Sequence, residues 1–531
     1  MSAGVQAAVE SVDALGQRVI DLLGIPKDTW EIAAQLEVLG MRDADARAVY
    51  GMRDLFDLAS TIDRRFRSGA YPFFVEGEDP RPRVVPLFRF VRGYIAGITF
   101  AMPMVLQAAS MLIWGYGIWG AIDLDLVQGS GVALGFIASY VVAGGFIQAI
   151  VRRGFFYIYQ KEEGLARWTA LRGFAIAVRT MLALIVPALA FNALFQVLPW
   201  SMLFVALGFY AGLGILWLTW ALLYLVRKTH LFLAITAVSL AVVIAAAKGA
   251  HVPPIAANAI GVATADVLSF AVAYLYLNTL AARRRGEPVN PPRLAVLIYS
   301  TSRYFVYGFL FNAFLFADRL IAWTTTVGRE DFPPYPFWLS VRYEIALDLA
   351  LIVALVMSGV VEFAIERFSE ELIPHQKATN SIDARTFVDE QRRIQRRRSF
   401  ELGIAAVVAL AVAWAVVAML RQLPYPRLHE ALTAAVTMRV FAAAAFAYIV
   451  FMFAVRNLLL LLTLSRIDEA VRSVAIALAA DVVAGFICSR ALHYAAAVAG
   501  LVAGAIVLAF MAGRAARRVL ASLDYYYYAA Y

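Results

Sequence analysis

The sequence has few of the residues that keep a soluble protein in water. Only 16% of its 531 residues are charged, whereas 62% are hydrophobic, and the mean hydropathy is +0.72. These values exclude an ordinary soluble globular protein and predict an integral membrane protein. The single cysteine, Cys488, cannot form an internal disulfide, and its apolar neighbours favour a small packed side chain.

Other absences narrow the function. No GxxxxGK[ST] loop occurs, so we expect no ATP hydrolysis through a site of that kind. The N-terminus lacks a basic stretch followed by a short apolar run and a small-residue cleavage site, so we expect no cleaved signal peptide. The net charge of +9 does not indicate nucleic acid, because the basic residues lie in short loops between apolar segments. We expect no nucleic-acid partner, no cofactor, no metal and no catalytic residue.

Residues 1–85 are predicted to form a separate soluble region of four short helices. The tetrapeptide Gly-Met-Arg-Asp occurs at 40–43 and again at 51–54. Each glycine favours the left-handed position that ends a helix, and Asp43 and Asp54 each favour the N-cap of the next helix. Asp28 with Glu31 is a similar capping signal. The region is either a docking module for a cytosolic partner or a solubilising cap on the membrane domain.

Twelve apolar stretches follow between residues 94 and 512, each long enough for the roughly 20 helical residues that cross a bilayer. The polar segment ARRRGEPVNPPR divides them into six and six. We therefore predict an all-α polytopic membrane protein with two six-helix lobes, as in transporters built from repeated halves. The predicted parts are a first lobe, a cytosolic linker, a second lobe and a cytosolic aromatic tail, at 86–280, 281–303, 304–512 and 513–531.

The basic residues predict the orientation. With a cytosolic N-terminus, the inner segments carry 25 Lys and Arg residues and the outer loops carry 5. The positive-inside rule then places both termini in the cytosol, and the pattern suggests a bacterial cytoplasmic (inner) membrane. The segment RRIQRRR at 392–398 favours a solvated loop, with contact to anionic lipid or an acidic partner as the alternative. The end of the chain, LDYYYYAAY, is predicted to be an interfacial aromatic anchor.

Charged residues interrupt the seventh apolar stretch, FLFNAFLFADRLIAWTTT at 309–326. A charge at the centre of a membrane helix costs about 2.5–3.5 kcal/mol. Asp318 and Arg319 cannot satisfy one another, because adjacent helical side chains point about 100° apart. Glu344 and Asp348 lie at a matching depth in the next helix, so we expect Arg319 to pair with one of them.

We predict a substrate pathway lined by polar and aromatic residues of the membrane helices. Its members are Asn312, Asp318, Arg319, Trp323, Glu344, Asp348, Asp266, Arg439 and Asp481. Asn312, Arg319 and Trp323 share one helix face at spacings of 7 and 4, a combination suited to a sugar-binding wall. The alternative is a set of interhelical hydrogen bonds and ion pairs that only hold helices together.

These residues resemble a known family. Phe311-Asn312, Asp318-Arg319, Trp323, the acidic start of the eighth helix and the terminal Leu-Asp-Tyr-Tyr are similar to the PelG family of Pel exopolysaccharide transporters, within the multidrug/oligosaccharidyl-lipid/polysaccharide exporter (MOP) superfamily. The resemblance implies two six-helix lobes around a central cavity and alternating access for lipid-linked sugars, polysaccharides or drugs. It also implies membrane lipid, a polysaccharide substrate, a cytosolic glycosyltransferase and other membrane components of an export complex as partners.

The chain departs from that pattern in its soluble N-terminal region and its basic inner segment at 365–400. Three other functions remain open. An ion-coupled small-molecule or drug antiporter shares the fold, and the intramembrane aspartates are then ion-coupling sites. A membrane glycosyltransferase is suggested only by Asp123 and Asp125 in the first outer loop, so we expect no enzyme. A non-transporting assembly scaffold is the third.

Overall fold

The computed structural model of the chain describes residues 11–23, 26, 28–71, 86–99, 102–282, 291–329, 335–378 and 384–522. Within these ranges the secondary structure is helical and no strand is formed. The helices are α1 Val12–Leu23, α2 Thr29–Val38, α3 Asp43–Tyr50, α4 Leu55–Arg67, α5 Pro86–Thr99, α6 Met102–Trp114, α7 Leu126–Tyr159, α8 Glu163–Phe195, α9 Trp200–Leu225, α10 His230–Ile244, α11 Pro254–Ala282, α12 Leu294–Trp323, α13 Val341–Ala378, α14 Ala384–Leu420, α15 Pro426–Thr433, α16 Ala435–Thr463, α17 Ile467–Ala491 and α18 Val498–Ala521.

Helices α1 to α4 form the predicted N-terminal region around a core that includes Ile32, Leu36 and Leu58. The predicted left-handed helix ends at Gly40 and Gly51 are confirmed, because both glycines adopt positive φ angles, of 86° and 65°.

Two of the three predicted caps are confirmed and one is wrong. Asp28 accepts from the backbone N–H of Glu31 at 2.9 Å, and Asp54 accepts from that of Asp57 at 2.8 Å. Asp43, in contrast, is the first residue inside α3, and Arg42 occupies the N-cap position. The Asp43 carboxylate accepts instead from the backbone N–H of Leu55 at 2.9 Å, so it ties α3 to the start of α4.

Replacing Asp54 by alanine is expected to destabilise α4 by about 1 kcal/mol, because the first turn loses its side-chain acceptor. Hydrogen exchange of the α4 amides measures the effect. Asp54→Ser, which keeps an acceptor oxygen, is the control and should exchange nearly as slowly as the wild-type chain. Equal exchange in the alanine variant and the wild type would show that this cap contributes nothing.

Eleven helices of the described ranges are long and apolar enough to cross a membrane, and Gly93–Thr99 with Met102–Trp114 forms a twelfth candidate that is bent by 57°. The predicted all-α polytopic membrane fold is thereby confirmed. A π-helical turn, Ala245–Gly249, prolongs α10, and a 3₁₀ turn, Tyr494–Ala497, precedes α18.

Several helices extend past the apolar stretches that predicted them. Helix α12 begins at Leu294, inside the predicted linker, and α18 continues to Ala521, inside the predicted tail. The 37 residues of α14 span about 55 Å, whereas the hydrocarbon core is about 30 Å thick. Hydropathy identifies only the part of a helix that lies inside the hydrocarbon core, so it does not detect polar extensions of the helix beyond the membrane. The aromatic anchor at 523–531 lies outside the described residues and stays a prediction.

Two hydrophobic cores match the two predicted lobes. The first lobe, α5 to α11, has a core around Leu213, Trp217 and Leu222. The second lobe, α12 to α18, has a core that contains Phe314 and Tyr448.

The lobes meet where α7 crosses α12 and where α5 crosses α13, and glycines lie at both crossings. A Cβ atom added at Gly308 would collide with the carbonyl oxygen of Gly144, and one added at Gly97 would lie 2.7 Å from the Cα of Gly359. The absent side chains let the helix backbones approach closely, as at other small-residue crossings of membrane helices.

Hydrogen bonds join the lobes on both sides of these crossings. Toward the predicted outer surface, the backbone N–H of Leu339 donates to Ser130 Oγ at 3.2 Å, and the Tyr425 hydroxyl donates to the carbonyl of Leu112 at 2.6 Å. Toward the predicted cytosolic surface, Arg152 Nη2 donates to Ser465 Oγ at 2.9 Å. The structure therefore has the two lobes in contact at both surfaces.

Candidate functional site

An ion network joins the end of α12 to the start of α13. Arg319 Nη1 donates to the Glu344 carboxylate, and Nη2 donates to Asp348 Oδ1 at 3.0 Å. Trp323 Nε1 donates to the other oxygen of Glu344 at 2.8 Å. Arg319 and Trp323 are 7% and 2% exposed. The predicted pairing of Arg319 with the acidic start of the next helix is confirmed.

Helix geometry shows which way this network faces. Arg319 lies eleven residues after Gly308, and Asp348 lies eleven residues before Gly359. Eleven residues are close to three full turns, so each pair shares one helix face. Because Gly308 and Gly359 contact the first lobe, Arg319 and Asp348 face that lobe as well. The Asp348 side chain, at 65% exposure, forms the open edge of the network.

Asp318 points into the second lobe. The Tyr343 hydroxyl donates to Asp318 Oδ2 at 2.8 Å, and Asp481 of α17 lies close enough to Asp318 to interact electrostatically. Asp318 is 1% exposed and Asp481 is fully buried. Within the described ranges, Asp318 Oδ1 and both carboxylate oxygens of Asp481 have no hydrogen-bond partner. Buried polar atoms are rarely left in this state, so the two carboxylates need a functional explanation.

An aromatic row connects the ion network to the first lobe. The Arg319 guanidinium lies 5.7 Å from the centre of the Phe316 ring. Phe316 makes edge contacts with Tyr140 and Phe136 of α7, at centroid distances of 5.7 and 5.9 Å. Tyr140 in turn contacts Trp217 of α9 at 5.3 Å. Aromatic side chains thus cross from one lobe to the other directly beside Arg319.

The remaining predicted pathway residues occupy three different positions. Asn312 donates across the lobe crossing to the carbonyl of Tyr140 at 3.2 Å, which is an interhelical hydrogen bond. Asp266 lies in α11 of the first lobe, and its Oδ1 atom is buried without a described partner. Arg439 is exposed on α16 and donates to the carbonyl of Ala435, one turn earlier, at 3.3 Å. Among the described contacts, neither Asp266 nor Arg439 bonds to the network.

No protein-family model and no curated protein matches the chain. An outward-facing structure of a multidrug resistance MATE family transporter of the MOP superfamily is 15% identical, with a TM-score of 0.54 over 82% of this chain and 96% of that one. An inward-facing structure of a multidrug resistance MATE family transporter is 14% identical, with a TM-score of 0.51 over 81% of this chain and 99% of that one. A MOP superfamily transporter from Pyrococcus furiosus is 14% identical, with a TM-score of 0.52 over 82% and 96%.

The chain has the same fold as these transporters. At these identities the similarity shows the fold alone and does not determine a substrate. The inward-facing and outward-facing neighbours are similar to this chain to nearly the same degree, so the MOP fold is compatible with two arrangements of its lobes.

Several members of the site were not predicted from the sequence. Tyr343 donates to Asp318, Tyr448 of α16 lies close enough to Arg319 to interact with it electrostatically, and Phe316 and Tyr140 link the lobes. Tyr343 directly precedes Glu344 in the sequence, so the acidic start of α13 was the one sequence signal that pointed to this part of the site. The other aromatic residues lie in apolar runs, where nothing distinguishes them from packing residues.

The residues that suggested a glycosyltransferase have a structural role or lie apart from the site. Asp125 is the N-cap of α7 and accepts from the backbone N–H of Gln128 at 2.7 Å. Asp123 is exposed in the preceding loop. No group of three or more His, Cys, Asp or Glu residues within the described ranges is placed to hold a metal ion.

Proposed function

We propose that the chain exports a polysaccharide or lipid-linked saccharide across the bacterial cytoplasmic membrane by alternating access between its two lobes. The observation that supports this best is the ion network at the lobe interface, in which Arg319 and Asp348 face the first lobe. A charge buried in a membrane domain is costly, so such groups usually mark a substrate or ion pathway.

The neighbouring side chains favour a sugar as the substrate. Sugar rings have apolar C–H faces that stack on aromatic rings, and hydroxyl edges that hydrogen-bond to charged groups. Phe316 and Tyr140 supply aromatic surface next to the guanidinium and carboxylates of the network. A few polar groups placed among aromatic side chains is also the usual composition of a ligand site.

The network carries more negative than positive charge. Two carboxylates, from Glu344 and Asp348, contact the one cation of the network among the described residues, Arg319, and the carboxylates of Asp318 and Asp481 lie behind it in the second lobe. This excess favours a polymer that contains positively charged amino sugars. In this proposal a cytosolic glycosyltransferase makes the polymer, and the N-terminal region offers it a docking module.

Replacing Asp348 by asparagine is expected to lower export about ten-fold or more, because a charged hydrogen-bond acceptor at the interface is worth about 1.5–3 kcal/mol. The measurement is transport of the labelled saccharide by the full chain in proteoliposomes. Asp468→Asn is the matched control, since Asp468 pairs with Arg303 in the same lobe at 2.7 Å but lies at the exposed start of α17. Unchanged export by the Asp348 variant would remove this residue from the pathway.

An ion-coupled small-molecule antiporter is the second candidate, and the unpartnered carboxylates favour it. Asp318 and Asp481 in the second lobe and Asp266 in the first lobe each have a buried oxygen without a described partner. A carboxylate in that state can take up a proton or a cation, and its change of charge can drive the change of lobe arrangement. Drug efflux that depends on Asp481, in a chain that moves no saccharide, would decide for this candidate.

A further inference from the structure

The basic half of α14 is held with one face toward the protein. Its apolar stretch begins at Phe400, and residues 400–420 cover about 30 Å, the thickness of the hydrocarbon core. The turns just before Phe400 therefore lie at the level of the lipid headgroups. Gln391, Gln395 and Arg398 are buried, and Arg398 Nη1 donates to the carbonyl of Ala364 in α13 at 2.7 Å. These contacts fix the rotation of the helix.

The opposite face carries arginines in line with lipid-facing side chains. Phe400 and Val407 are 70% and 71% exposed, which in a membrane-spanning helix means contact with lipid. Arg396 lies four residues before Phe400 and Arg393 lies seven before it, so both share its face. Both arginines are exposed. Their guanidinium groups are thus directed toward the surrounding lipid and away from the space between the lobes.

Among the described side chains, no acidic partner balances the charges of these two arginines. Arg397 pairs with Glu401 at 3.2 Å, and Arg392 pairs with Asp389 at 3.3 Å. Arg393 and Arg396 make no ion pair with a described residue. A guanidinium fork matches the oxygens of a phosphate group and binds it in a bidentate manner. Two such groups next to an apolar, lipid-facing surface match the headgroup and chains of one lipid.

We propose that Arg393 and Arg396 bind the headgroup phosphate of an anionic phospholipid whose acyl chains lie along Phe400 and Val407. The site is independent of the substrate pathway. It lies on the lipid-facing side of α14, at the surface predicted to be cytosolic. An anionic lipid bound there holds α14 at a fixed depth in the membrane.

The test uses the full chain in nanodiscs of phosphatidylcholine alone or with added phosphatidylglycerol. Native mass spectrometry counts the retained phosphatidylglycerol, and thermal unfolding measures its stabilising effect. We expect the wild-type chain to retain phosphatidylglycerol over phosphatidylcholine. The double variant Arg393→Gln with Arg396→Gln should lose at least half of that lipid and its thermal shift. Equal retention of the two lipids by the wild type would overturn the site.

Two further arms separate this site from general charge effects. The double variant Arg53→Gln with Arg64→Gln removes two exposed arginines of the N-terminal region and should retain the lipid. Arg393→Lys with Arg396→Lys keeps the charge and should restore part of the binding. Loss of lipid in the Arg53/Arg64 variant to the same extent would overturn the proposal. So would an equal thermal shift from inorganic phosphate, or binding of an acidic protein with no lipid preference.

Discussion

Replacement of Arg319 by leucine is expected to cost the protein about 3–5 kcal/mol of stability, the largest effect we predict. The change removes the guanidinium that Glu344 and Asp348 share, and it leaves the Glu344 carboxylate, 15% exposed, with Trp323 as its one remaining donor among the described contacts. Thermal unfolding of the purified chain in detergent measures the loss. We also expect a lower yield of folded protein, because the uncompensated carboxylates oppose membrane insertion.

The chain supplies a matched control for this experiment. Arg439 lies in the same lobe, is exposed, and donates within its own helix to the carbonyl of Ala435. Arg439→Leu should therefore leave the unfolding temperature almost unchanged. Adding Glu344→Gln to Arg319→Leu removes one of the two carboxylate charges left without a cationic partner and should recover part of the stability. If the Arg319 and Arg439 variants unfold at the same temperature, the ion network does not stabilise the lobe.

Replacement of Gly308 by valine is expected to separate the lobes at their α7–α12 crossing. The new side chain would meet the carbonyl oxygen of Gly144, and a backbone atom cannot move aside as a flexible side chain can. Overpacking of this kind costs about 1–3 kcal/mol. Spin labels at positions 152 and 465, which are in contact across the lobes, should report a longer distance in the variant.

Gly208 provides the comparison for Gly308. It also lies inside a membrane helix, α9, but a Cβ atom added there has open space around it. Gly208→Val should thus leave both the stability and the label distance near the wild-type values. An unchanged distance in the Gly308 variant would mean that the crossing accommodates a side chain and does not set how close the lobes come.

The sequence predicted the parts of the molecule that depend on local chemistry. The long apolar runs determine the membrane helices, because each run must match the bilayer. The cost of a buried charge likewise determines that Arg319 has an acidic partner, and matching depths were enough to identify the partner helix. The left-handed turns at Gly40 and Gly51 follow from backbone sterics alone.

Contacts between distant helices could not be predicted in the same way. The hydrogen bond from Asn312 to Tyr140 and the contact between Phe316 and Tyr140 depend on how α7 crosses α12. No local pattern encodes that crossing. Arg439 was grouped with the acidic residues because it lies at a similar predicted depth, although its position on α16 leaves its side chain exposed. The predicted N-cap at Asp43 was likewise wrong, because the Asp43 carboxylate accepts a hydrogen bond from a backbone group distant in sequence, the N–H of Leu55.

The position of the glycine crossings has a mechanical consequence for the proposed alternating access. They lie part-way along the interface, so under the proposed alternating access they serve as the pivot about which its two ends open in turn. Among the described residues, one or two hydrogen bonds join the lobes at each of these surfaces, and such bonds are worth about 0.5–1.5 kcal/mol each. Under the proposed alternating access, these hydrogen bonds alone are weak enough that ligand binding at either surface can shift the equilibrium between the two lobe arrangements.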